Sequence, residues 1–161
     1  MVWGAICGSQ KSQLVIWETK DWGKINSETY IQRIIRLVLL PWWQHLCQHA
    51  SRSGYIYFQQ DGAPSHQSKR TKSELHELGI GSITFPWPAS SPDMSPIKEV
   101  WKRIKRKITR RNPRPTTVPE LRQAILEEWN ALTPEVILGY TASVSERVGD
   151  LILAQAGHTK W

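Results

Sequence analysis

The stretch Tyr55 to His66 reads YIYFQQDGAPSH. Aromatic and β-branched residues dominate 55–60, the composition of a buried strand. A carboxylate, Asp61, then closes the run, and Gly62, Ala63 and Pro64 follow at once and end regular pairing. Open α/β sheets place their ligands at the carboxyl ends of strands, which is where Asp61 would stand. A hard cation such as Mg2+ takes oxygen ligands, usually from more than one carboxylate together with a substrate phosphate. An Asp before Gly is also an ordinary turn residue. The meaning of Asp61 therefore rests on what the rest of the chain supplies.

The chain has 161 residues, the size of one domain, and its 40% hydrophobic content is enough for a core. Its two cysteines, Cys7 and Cys47, make neither a CxxC pair nor a zinc spacing, the usage of a reduced intracellular protein. No signal-peptide pattern opens the sequence. The most apolar run, LVLLPWW at 37–43, is too short to span a bilayer.

The net charge of +7 is concentrated in one place. Between Lys98 and Arg114 there are nine bases and one acid, Glu99, a local charge of +8, whereas the remainder holds 12 bases and 13 acids. Such a stripe, with Lys98, Lys102, Arg103, Lys105, Arg106, Lys107, Arg110 and Arg111 at its centre, attracts phosphate backbone through counterion release without reading sequence. A solvated helix face is the alternative.

Along the chain, MVWGAIC at 1–7 reads as a strand, residues 8–11 as a turn and QLVIWET at 13–19 as the hairpin partner. Asn26-Ser27 offers a helix start, and Tyr30, Ile31, Ile34, Ile35, Val38 and Leu39 recur at helical spacing. Pro41 interrupts that pattern, with 42–49 continuing as a kinked or second helix. Ser65 or Ser68 can cap a helix ending near Leu78, punctuated by Gly79 and Gly81. SITF at 82–85 reads as a strand, and WPASSPDMSP at 87–96 as irregular chain. Helices are expected at about 96–110, 117–130 (capped by Thr117 with Glu120 three residues on), 133–143 and 148–156. This order gives an α/β fold with a mixed sheet: strands and helices in 1–95 and a basic helical part in 96–161.

Three quoted stretches carry a resemblance. MVWGAI at 1–6, FQQDGAPSH at 58–66 and SPDMSPIKEVW at 91–101, with ELRQAILEEW at 120–129 behind them, resemble the motifs MVWG, FQQDNAPxH and SPDLNPIENLW of mariner-like DDE/D transposases, in the same order and across nearly the whole chain. The resemblance implies the RNase H-like catalytic fold shared with retroviral integrases: a mixed sheet flanked by helices. It implies a two-metal phosphoryl-transfer site in which carboxylates hold two Mg2+ (or Mn2+) ions about 3.5–4 Å apart. It also implies DNA as the partner rather than a membrane or a small-molecule substrate, and a nuclear location. Asp61 matches the second acid of that family and is the expected metal ligand.

The other acids do not carry over. The family's first Asp lies on a strand upstream of MVWG, so the expectation is a fold truncated at its N-terminus, with its first, central strand missing. Exposed edges would then invite pairing between copies, a possible homo-oligomer. Asp21, in the loop composition DWGKI, reads as a turn residue. At the third acid the sequence has Lys98, with Glu99 beside it. Ile97, Trp101, Ile104 and Ile108 make one apolar stripe, and at about 100° per residue Glu99 stands about 200° round from Ile97. There it would pair with Arg103, leaving it a weak candidate for the catalytic set. Lys98 is expected to neutralise Asp61 in place of metal. The resemblance thus implies a DDE endonuclease and strand-transfer domain of cut-and-paste DNA transposition, read here as an inactive fragment; the alternative is a catalytically dead, non-specific DNA-binding domain or host-adopted relic.

Asp93 reads as a loop or cap residue. His66 matches the family's motif histidine, and a helix-start hydrogen bond would explain it equally. Gly62 replaces the family's frequent Asn. Trp42, Trp43 and Trp87 read as core and loop anchors rather than base-stacking platforms. His45 and His49 stand at i, i+4 but lack the glutamate of HExxH, which argues against a zinc site of that kind.

Overall fold

A computed structural model describes residues 1–49, 56–80 and 95–153, without the side chains of 145, 148 and 150–153. The expected strand at 82–85, the loop with Trp87 and Asp93, and the end of the last helix lie outside the described residues. The chain divides into two compact units, one of Met1–Trp3 with Val15–Ala89 and one of Gly4–Leu14 with Ser90–Trp161. Residues 4–14 thus belong with the C-terminal helices rather than with the N-terminal half.

In the first unit, β1 (Val2–Trp3) pairs antiparallel with β4 (Val15–Ile16), Val2 opposite Ile16 and Trp3 opposite Val15. A short helix α1 (Thr19–Trp22) follows. Then α2 (Ser27–Tyr30) starts at a reciprocal cap: Asn26 accepts from the Thr29 backbone N–H, and Thr29 accepts from the Asn26 N–H. The helix continues through Ile31–Leu39 as wide π-turns and tightens again into α3 (Leu40–His49). Pro41, which has no N–H to give a ladder, sits where the winding changes. The periodicity places Ile31, Ile34, Ile35 and Leu39 in the core with Tyr30, Val15, Trp17, Leu75 and Ile80. Trp42, Trp43 and Phe58 pack on that cluster, with Trp43 edge-on to Phe58 at 6.5 Å.

Residues 56–60 correct the expectation of a strand, because no ladder partner pairs with them among the described residues. Their exposure nevertheless alternates: Ile56, Phe58 and Gln60 half-buried, Tyr57 and Gln59 exposed. The sequence period survives as two faces of irregular chain. A single turn, α4 (Pro64–Gln67), precedes α5 (Lys69–Glu77), which Ser68 caps by accepting the Thr71 N–H, and Gly79 at φ 70° follows its end.

In the second unit, β2 (Ile6–Cys7) pairs with β3 (Gln10–Lys11) around a turn at Gly8, whose φ of 56° suits glycine. The helices are α6 (Pro96–Thr109), α7 (Val118–Asn130) and α8 (Pro134–Leu153). Thr117 and Glu120 form the expected capping box on α7. The expected break between 143 and 148 is absent: α8 runs continuously to Leu153, with Gly149 inside it.

Three motif residues meet in this unit. The indoles of Trp101, which ends SPDMSPIKEVW, and Trp129, which ends ELRQAILEEW, stack at 5.2 Å and 19°. Gly4 of MVWG lies against them, so close that a Cβ there would stand 2.7 Å from Trp129 Cη2 and 3.3 Å from Trp101 Cη2. Trp129 donates its indole N–H to the Ser12 carbonyl (3.1 Å). Lys11 Nζ donates to the carbonyls of Trp129, Asn130 and Leu132 at 2.6, 2.9 and 2.8 Å, placing a cation on the negative end of α7. Burial lowers the Lys11 pKa.

Candidate functional site

Asp61 follows residues 56–60 and is half exposed. Its Oδ1 accepts from the Ala63 backbone N–H (3.2 Å), the Asx-turn contact expected of an Asp before Gly. The same oxygen lies 2.7 Å from His66 Nδ1, so the motif histidine is committed to the motif aspartate. The Asp61 carbonyl accepts from the Gln67 amide (3.4 Å). Gly62 is not compelled: its φ lies outside the left-handed region and a Cβ would meet nothing within 4 Å. The Asn of the resembled motif would fit there.

Beside this turn lies a part-buried relay that sequence reasoning missed. The Tyr30 hydroxyl donates to Gln60 Oε1 (3.0 Å), and Gln60 Nε2 donates to the His66 carbonyl (3.4 Å). The Tyr30 ring packs on the His66 imidazole at 4.5 Å. Burial pushes the Tyr30 phenol above its ordinary pKa; a hydrogen bond with Trp3 opposes this and the Asp61 charge adds to it. The signal available was Tyr30 on the buried face of its helix, but nothing in sequence tied it to a glutamine 30 residues away.

Glu99 binds Lys102 of its own helix at 2.6 Å, in place of the expected Arg103. Val100 and Ile104 are the buried centre of the apolar face of α6, with Ile97, Trp101 and Ile108 half-buried beside them. Glu99 is half-buried at the first turn and lines, with Glu135, Tyr140, Ser143 and Arg147, a cavity of about 410 Å³ in the second unit. Asp61 and Lys98 fall in different compact units.

Counted at about 100° per residue, Lys102 and Arg106 lie on the α6 side opposite Val100 and Ile104, with Lys105 and Arg110 toward its flanks. These four are exposed, as is Lys107, which lies nearer the direction of Val100 but in the last turn of the helix. Lys98 and Arg103 are half-buried. Arg111 is taken up elsewhere: its two terminal nitrogens donate to Glu127 (2.6 Å) and Glu128 (2.8 Å) of α7, hydrogen bonds that raise its pKa, Glu128 foremost.

The family's sequence model for DDE superfamily endonucleases matches residues 1–122. The chain belongs to the DDE superfamily endonucleases. The Tc3 transposase of Caenorhabditis elegans is 30% identical over 155 residues, covering 96% of this chain and 44% of that protein. The Tcb2 transposase of Caenorhabditis briggsae is 26% identical over 161 residues, all of this chain and 54% of that protein. The chain thus spans about half the length of these relatives. Among solved structures, the catalytic domain of Mos1 mariner transposase superposes with a TM-score of 0.72 over 99% of this chain and 83% of its own, at 16% identity. Mos1 catalytic domain with Raltegravir and Mg gives 0.67 over 85% and 66%, at 19% identity. The mariner-like resemblance therefore holds, and the fold is the helix-rich α/β fold of that catalytic domain.

The fit of this DDE-family chain to a divalent pair is limited. Among the described residues, no group of three or more His, Cys, Asp or Glu stands together to hold an ion. Asp61, which matches the family's second acid, has one of its oxygens engaged by His66 and the Ala63 N–H.

Proposed function

We propose that this chain is a DNA-handling domain of the cut-and-paste transposase kind, one that holds phosphate backbone along α6 and does not complete a two-metal carboxylate centre. The observation that carries the reading is the charge of α6 and its C-cap: Lys105, Arg106, Lys107 and Arg110 are all exposed there, and the helix's one acid is neutralised by Lys102. Phosphate contacts of this kind give affinity without sequence choice. Lys98, at the position of the family's third acid, brings a positive charge where a ligand is required. DNA as partner, a nuclear location and an RNase H-like sheet follow from the same reading. No helix among the described residues is long and apolar enough to cross a membrane.

The second reading is an active DDE endonuclease using Mg2+ or Mn2+. The half-exposed Asp61 favours it, because an ion could reach that carboxylate from solvent. Incubation with Mn2+ and DNA carrying element ends separates the two. Binding without nicking supports the first; nicking abolished by Asp61→Ala establishes the second.

A further inference from the structure

We propose that His45 and His49 form a surface chelate for a borderline transition-metal ion, distinct in place and chemistry from the carboxylate site. The two residues lie one turn apart in α3 and both are exposed. Two imidazole nitrogens about 2 Å from one ion at a right angle would put their ring centroids about 4.5 Å apart; the rings stand 4.2 Å apart, tilted by 35°. The ring separation is therefore close to that of a chelating pair.

His49 is also oriented for the task. Its Nδ1 lies 2.8 Å from the His45 backbone carbonyl oxygen. A carbonyl oxygen only accepts, so the proton sits on Nδ1 and, in the neutral ring, the Nε2 lone pair is left as ligand. Backbone carbonyls play this part behind many metal-bound histidines, fixing the tautomer and the ring plane.

The missing HExxH glutamate removes a general base, not a ligand, so this is a binding site rather than a hydrolytic one. With two nitrogen donors and water completing the shell, affinity should follow Cu2+ over Ni2+ over Zn2+. Mg2+ prefers oxygen and should not compete.

The test uses Ni2+, because Cu2+ can oxidise the exposed Cys47. The tag-free chain is titrated by calorimetry, with far-UV circular dichroism to check that each variant folds. One Ni2+ per chain is expected. Loss of a direct ligand should weaken binding by at least about tenfold, the lower end of what even outer-shell changes cost, in both His45→Ala and His49→Ala. Asp61→Ala should bind as the wild type does. The proposal is overturned if either histidine variant keeps wild-type affinity, or if Asp61→Ala alone removes binding and so places the ion beside His66.

Discussion

Replacing Arg106, Lys107 and Arg110 together by Gln tests the DNA-binding side of α6. All three are exposed, so folding should change by no more than about 0.5 kcal/mol each. With Lys102 spent on Glu99, the exposed Lys105, Arg106, Lys107 and Arg110 are counted as four phosphate contacts. At about 0.9 per contact, four contacts give a slope near −3.6 in log affinity against log salt, so raising salt from about 50 to 200 mM should weaken wild-type binding about 150-fold. With about one contact left, the slope falls to about −0.9 and the same change costs only about 3–4-fold. Fluorescence anisotropy on a labelled duplex across that salt range measures both slopes. A triple variant whose slope equals that of the wild type, with folding intact, would refute the reasoning, as would wild-type affinity indifferent to salt.

Other outcomes follow from the packing. Gly4→Ala drives a Cβ into the Trp129–Trp101 stack and should cost about 1–3 kcal/mol, read as a lower thermal midpoint; an unchanged midpoint contradicts the close approach. Tyr30→Phe removes the donor to Gln60 and should cost about 1 kcal/mol in denaturant unfolding, with a change in the His66 ring NMR shifts above it; no change in either would show the relay is idle. Glu120 accepts from the Thr116 and Thr117 N–H groups, which hold its carboxyl below the ordinary range. A carboxylate depressed in the folded state stabilises above its unfolded pKa, and the contribution is lost as pH falls through the folded value. Glu120→Gln should therefore flatten the acid limb of the stability profile, and an identical limb would show that the box contributes nothing there.

The helices were legible because their signals are local. Asn26, Ser68 and Thr117 cap, the Ile31–Leu39 spacing buries one face, and Gly79 turns the chain. The irregular chain at 56–60 was not, because alternation reports which face is buried and not whether a partner strand lies alongside. The Lys102 partner of Glu99 was missed because i+3 and i+4 neighbours are both within reach on a helix, and spacing alone does not choose between them. The contacts that seat Asp61 were half legible. An Asx turn is written in Asp-Gly-Ala, and the motif histidine was a candidate, but Tyr30 and Gln60 meet only through tertiary packing. The convergence of Gly4, Trp101 and Trp129 likewise joins three separately visible motifs through a contact no spacing encodes.

The most direct test of the central claim is a nicking assay with Mn2+ and element-end DNA at low salt, where binding is strongest. The account predicts retained, salt-sensitive DNA binding with no metal-dependent strand cleavage. Cleavage that requires Mn2+ and disappears in Asp61→Ala would contradict it.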